Sequence, residues 1–195
     1  MPVAYLRTLE DSRRLRDAFQ PGRQIAIIGG GWIGLEVAAA ARSAGSDVTV
    51  VESLDLPLVR VLGPEVATTF ARLHRAHGVD LRLDASVDSF AVTSDGRAAL
   101  RLADGSQLTA DLVVVGVGVE PNATTASSAG LDVDNGILVD ERLRTSDPQV
   151  FAVGDVANHL HPTLGRRIRV EHWDTAIHQG RTAAGNMLGG DEAYT

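Results

Sequence analysis

Between Ile25 and Glu52 the chain reads IAIIGGGWIGLEVAAAARSAGSDVTVVE, and no other stretch constrains its fold as strongly. Ile25–Ile28 is a short apolar run of the kind that forms a strand buried on both faces. Gly29-x-Gly31-x-x-Gly34 follows at once. Leu35–Arg42 then predicts a helix, with Gly45 as its stop. Val48–Val51 is a second β-branched strand that ends at Glu52. Strand, glycines, helix, strand and acid in this order predict a dinucleotide-binding βαβ unit in an α/β fold built on a parallel sheet.

Each residue type in the unit has a physical task. Gly29 permits the tight turn from strand to helix. Gly31 lets a pyrophosphate approach the backbone, and Gly34 lets the helix pack close to the sheet. Unpaired amides and the dipole at the helix start attract the phosphates, and Trp32 and Ile33 lie on that same first turn. Glu52 stands 18 residues after Gly34, close to the usual spacing for an acid that accepts from the adenosine ribose hydroxyls. Its charge would repel a 2′-phosphate, and no Lys or Arg follows before Arg60, so NAD(H) is expected over NADP(H).

The net charge is −7 and no basic run is present, which argues against a nucleic-acid binder. With 44% hydrophobic and 22% charged residues, the composition is that of an ordinary globular protein. The absence of cysteine excludes disulfides, a Cys-held metal and thiol redox chemistry within these 195 residues, and it is compatible with the cytoplasm. No run reaches the ~18 apolar residues needed to span a membrane.

Val3–Leu6 is short and apolar, and Thr8 is placed to cap a helix containing Leu9, Leu15 and Phe19. Glu65–His77 predicts a helix with Val66, Phe70 and Leu73 as its apolar stripe, and His74 and His77 as surface or packing residues. From Val79 to Ala110 the period becomes two, with Asp95-Gly96 and Asp104-Gly105 as hairpin turns. This predicts an antiparallel meander inserted in the α/β domain. Leu112–Val115 returns to a continuous apolar strand ending at Gly116-Val117-Gly118, the carboxyl end where open α/β sheets place ligands. Ile137–Val139 and Val150–Val153 read as strands, the second running into Gly154-Asp155. His159 to Gly165 reads as a solvated loop, and Trp173–Leu188 as a final helix. Trp173, Ala176, Ile177, Ala183, Ala184 and Met187 are its apolar positions.

Five strings are similar to one family: YLRTLED, GGGWIGLEVAA, VVVGVGVEPN, DNGILVDERLRTSDPQVFAVGDVA and RVEHWDTAIHQGRTAAGNMLG. Together they resemble the flavin-dependent pyridine-nucleotide oxidoreductases, in the branch of ferredoxin and rubredoxin reductases that feed oxygenases. In that family an NAD domain is inserted in an FAD domain, and a C-terminal domain closes the molecule. The resemblance implies a crossover segment at 1–20, an NAD(H)-binding domain at 21–120, and the C-terminal part of an FAD-binding domain at 121–195. With one GxGxxG, this sequence resembles a middle piece, either a truncated gene product or one completed by a second chain or copy.

The same resemblance implies site residues. Arg7 matches a position that contacts FAD near the crossover. Asp155 matches the acid that hydrogen-bonds the FAD ribitol, and Trp173 a position beside the isoalloxazine. Glu36 matches an acid near the nicotinamide amide, while Gly116 and Gly118 line the NAD crevice. The implied chemistry is hydride transfer from NADH to FAD, then single-electron transfer to an iron–sulfur ferredoxin. No acid–base triad is expected, because the cofactors carry the reaction. Two alternatives stay open: a dinucleotide-binding module without turnover, and a related NADH:acceptor flavoprotein of the nitrite-reductase or apoptosis-inducing-factor type.

Overall fold

The computed structural model describes residues 2–195 as two compact units that divide between Gly118 and Val119. In the first, a parallel sheet has the order β1-β8-β2-β3-β4. Its strands are β1 (Val3–Ala4), β2 (Gln24–Ile28), β3 (Asp47–Val51), β4 (Val79–Arg82) and β8 (Leu112–Val115). One face carries the helices α1 (Leu9–Ala18), α2 (Trp32–Ser43) and α3 (Val59–Ala76). The other carries an antiparallel sheet of β5 (Val87–Val92), β6 (Ala98–Leu102) and β7 (Gln107–Ala110).

Strand alternation explains the layering. Ile25 and Ile27 point to the helices and join Val37, Ala38 and Ala41 in one core. Ala26, between them, points the other way and packs with Ala98, Leu100 and Val113. A strand covered on both faces carries no polar face, which is why β2 and β8 read as unbroken apolar runs. Thr8 caps α1 as its sequence implies: its hydroxyl accepts from the Asp11 amide at 3.1 Å, and Asp11 returns a bond from the Thr8 amide at 2.9 Å.

Several expectations are corrected. Val79–Arg82 is not part of the meander, because it pairs in parallel with β3 from Val48↔Val79 to Val51↔Arg82. In α3, Val66 and Leu73 of the expected stripe face outward, and Phe70 is half-buried. The buried face is Ala67, Ala71 and His74. Small residues bring the helix close to the sheet, so the larger apolar side chains are left on the far side. Gly63 (φ +72) breaks α3 near its start, and Pro64 begins the next helical turn, where its missing amide is no loss.

The second unit has a three-stranded sheet with the order β11-β10-β9. Its strands are β9 (Ile137–Val139), β10 (Ala157–His161) and β11 (Arg166–Ile168). The short helix α4 (Thr124–Ser128) precedes it, and α5 (Trp173–Met187) follows. Val150–Val153 is not a strand; only a single bridge, Arg144↔Phe151, marks it. The expected loop from His159 is a β10–β11 hairpin, and His159 is buried within it. In α5 the buried face is Thr175, Gln179, Ala183 and Asn186, while Trp173, Ile177 and Met187 lie exposed. Among the described residues, no helix is long and apolar enough to cross a membrane.

Candidate functional site

The chain leaves β2, builds β3 and β4 on one side, and returns as β8 on the other. The carboxyl ends of β2 and β8 therefore form a topological switch point, where α/β sheets open a crevice. Gly29 and Gly116 stand at those ends. The Gly29 amide donates to the Val51 carbonyl at 2.8 Å, and the Gly116 amide to the Ile28 carbonyl at 2.8 Å. A Cβ on Gly29 would lie 2.4 Å from the Gly116 oxygen, and one on Gly34 would lie 2.0 Å from the Gly29 oxygen. The protein itself needs both glycines.

Gly31 is different. Its φ of −78° is ordinary, and a Cβ there would meet nothing within 4 Å. No protein contact requires a glycine, so its bare backbone leaves space over the helix start that a side chain would fill. α2 also begins with no side-chain cap and no acid in its first turn. The amides of Trp32, Ile33 and Gly34 have no partner within the helix, and the dipole adds positive charge beside them. Open space over Gly31, uncapped amides and a positive helix end fit a pyrophosphate.

Glu52, at the end of β3, is held rigidly. Its Oε2 accepts from the Gly30 amide at 2.6 Å, while its Oε1 accepts from the Leu54 amide at 2.9 Å and the Ser53 hydroxyl at 3.2 Å. A carboxylate offers roughly four acceptor positions. Three are used here, leaving about one for a ligand hydroxyl. Two residues of this clamp were missed in the sequence. A Cβ on Gly30 would come 3.0 Å from the Glu52 carboxylate. Leu58, buried in the left-handed region (φ +58), donates its amide to the Gly30 carbonyl at 3.1 Å. Three consecutive glycines hinted at the first; nothing in the sequence marked the second.

Trp32 and Ile33 are 46% and 39% exposed on the first turn of α2, and the Trp32 ring meets the Phe70 ring edge-on at 5.8 Å. Glu36 is exposed one turn further, with no ion-pair or hydrogen-bond partner among the described residues. Gly118 (φ +125) continues the loop beyond Gly116. The structure thus gathers Gly29, Gly31, Gly34, Glu52 and Gly116 at one end of the sheet. Arg7 is exposed on the loop after β1, where its amide donates to Asp11 at 3.2 Å.

In the second unit, Gly154–Val156 form a single 3-10 turn packed under the start of α5. Gly154 (φ +72) has its amide bound to Gln179 Oε1 at 2.7 Å, and a Cβ there would lie 3.2 Å from that of Ala176. Asp155 is exposed, and its carboxylate makes no hydrogen bond or ion pair among the described residues. Trp173 opens α5 at 70% exposure against the His172 ring, so it is not a core anchor. The His172 ring caps the helix by accepting from the Asp174 amide at 3.2 Å, which leaves the Trp173 and Thr175 amides as the free donors of that turn.

Comparison with known proteins agrees with this geometry. Residues 2–180 match the family model described as pyridine nucleotide-disulphide oxidoreductase. The ferredoxin–NAD(+) reductase component of the anthranilate 1,2-dioxygenase system of Burkholderia cepacia is 47% identical over 97% of this chain and 47% of its own length. Putidaredoxin reductase of Pseudomonas putida is 42% identical over 95% of this chain and 44% of its own length. The crystal structure of the covalent putidaredoxin reductase–putidaredoxin complex superposes with a TM-score of 0.92 at 41% identity, covering 98% of this chain and 47% of that one. The chain thus spans about half the length of the curated relatives it matches. The match of that family model over residues 2–180 shows that the chain belongs to the pyridine nucleotide-disulphide oxidoreductase family.

Proposed function

We propose that this chain is the NADH-binding portion of a cytoplasmic flavin-dependent ferredoxin reductase, serving an iron–sulfur ferredoxin of an oxygenase system. The observation that carries the reading is the contrast among the three glycines. Gly29 and Gly34 are locked by the chain's own backbone, while Gly31 is left bare over uncapped amides. The named relatives, a ferredoxin–NAD(+) reductase component and a putidaredoxin reductase, support the acceptor class.

In this reading the amides of the first turn of α2 hold the pyrophosphate, and Glu52 accepts from the adenosine ribose and excludes a 2′-phosphate. Trp32, Ile33 and Glu36 flank the nicotinamide end, with Gly116 and Gly118 as the opposite wall. Arg7, Asp155 and Trp173 contact FAD, with Asp155 accepting from the ribitol hydroxyls. When bound, the cofactors supply hydride transfer and then single-electron transfer. The protein contributes orientation and field, and no side chain is assigned a proton-transfer step.

Two binding experiments test the proposal. Trp32 fluorescence titrated with NADH and NADPH should show NADH bound at least about tenfold more tightly; equal affinity would remove Glu52 from its role. Adding FAD, desalting and recording the visible spectrum should show retained flavin. A colourless chain that still binds NADH would instead favour the dinucleotide-binding module without turnover.

A further inference from the structure

We propose that Gln179, oriented by the buried ring of His159, is a positioning residue that locks the Gly154–Asp155 turn and passes the protonation state of His159 to it. The flavin use of that turn rests on the function proposed above; the relay itself does not.

The argument starts from hydrogen-bond polarity. The Gly154 amide can only donate, so the atom facing it at 2.7 Å must be the Gln179 oxygen. The other end of the amide, Nε2, then faces His159 Nδ1 at 3.4 Å. An NH₂ group can only donate, so Nδ1 must offer its lone pair, and the ring is neutral with its proton on Nε2. Nε2 is buried and has no hydrogen-bond partner. His159 and Gln179 are each 1% exposed, so both contacts lie away from bulk solvent.

The surroundings hold the ring neutral. Burial pushes its pKa below the ordinary histidine value, and the charges of His161 and Arg167 push the same way against a smaller upward pull from the Ile168 carbonyl. His161 lies on the same strand, with ring centroids 5.5 Å apart. Arg167 comes from β11, bound through Nη1 to the carbonyls of Val139 and Asn158 at 2.8 and 2.9 Å. The Tyr194 ring covers His159 edge-on at 5.3 Å, and α5 presents the uncharged Gln179.

A second proton on the ring would set Nδ1–H against the Gln179 NH₂. Relief requires the amide to turn over, which sets its NH₂ against the Gly154 amide instead. The left-handed Gly154, close under Ala176, then loses the bond that holds it. One proton on His159 therefore unlocks the turn that carries Asp155.

Nuclear magnetic resonance of the flavin-free chain reads this directly. His159 should show the Nε2–H tautomer at neutral pH, and the Gly154 amide should be protected from exchange. Gln179→Leu should speed that exchange about tenfold or more, with Ile27 unchanged. Gln179→Glu keeps an acceptor for Gly154 but offers His159 a carboxylate, so the ring should become doubly protonated at neutral pH while Gly154 stays protected. A protonated Nδ1 in the unaltered chain overturns the proposal, as does equal Gly154 protection in the Leu variant. If Gln179→Leu fails to fold, the Glu variant decides: a ring left singly protonated overturns the relay. With FAD added, the Leu variant should bind about tenfold more weakly and the Glu variant should stay near the unaltered protein. A chain that binds no FAD yet passes the resonance tests keeps the relay and loses its flavin use.

Discussion

A side-chain carbon on Gly34 would stand 2.0 Å from the carbonyl oxygen of Gly29, closer than any two such atoms can come. Helix α2 can therefore begin where it does only because position 34 is bare. Gly34→Ala must shift backbone rather than a flexible side chain. Expected is a loss of ~3 kcal/mol or more, read by thermal or urea unfolding. Gly31→Ala meets no atom and should change stability by less than ~1 kcal/mol, while lowering NADH affinity about tenfold or more. Equal NADH binding in a folded Gly31→Ala chain would remove the pyrophosphate from that space.

Glu52 stabilises the loop, and in the proposed function the same carboxylate selects the cofactor. Glu52→Gln keeps an acceptor for Gly30 but turns an NH₂ towards the Leu54 amide, now bound at 2.9 Å. About 1–2 kcal/mol of stability should be lost, since one buried donor goes unpaired. NADH binding should weaken and the preference over NADPH should shrink, both measurable by titration.

The two faces of α3 make opposite predictions. Ala71 is 1% exposed and Leu73 51%. Ala71→Leu should cost ~1–3 kcal/mol by overpacking against the sheet. Leu73→Lys should fall within ~0.5 kcal/mol of the unaltered chain. A reversed order would restore the face expected from the apolar stripe.

Burial, with His77 adding to it, depresses the pKa of His74 in the folded chain below the ordinary value of 6.5. The unfolded chain then binds the proton first. The stability His74 contributes is complete above pH 6.5 and falls as the pH drops towards the lower folded value. Urea midpoints followed by Trp32 fluorescence should decrease from pH 7 to pH 5. His74→Leu should lessen that decrease, with His159, whose pKa burial also lowers, carrying part of the remainder.

Asp155 is exposed and its carboxylate has no protein partner, so Asp155→Ala should leave stability within ~0.5 kcal/mol. FAD retention should fall sharply while NADH affinity stays constant. A flavin spectrum as strong as that of the unaltered chain after desalting would show that Asp155 does not hold the ribitol.

The glycine turn and the acid at the carboxyl end of the sheet were legible because their physics is local. A buried parallel strand needs an unbroken apolar run, a tight turn into a helix needs glycines, and an acid at the next strand end sits at a set distance from them. The same reasoning located Thr8 as the cap of α1 and Gly116 at a strand end. Errors arose where a residue's neighbours lie far away in sequence. The alternation of Leu81 with Leu83 resembles a meander edge, and only pairing with β3 makes Val79–Arg82 a parallel strand. Gln179 and Asn186 lie outside the expected apolar positions of α5, yet they turn inward to bind the amide of Gly154 and the carbonyl of Arg142.

Sequence by itself determined the βαβ unit and the cap of α1, because these depend on periodicity and on backbone freedom within a few residues. Tertiary structure alone decided which face of each helix is buried, that Glu52 binds the Gly30 amide, and that His159 and Gln179 meet beneath the Gly154 turn. Those outcomes depend on hydrogen-bond partners and close approaches between segments tens of residues apart, and no local pattern of residues encodes them.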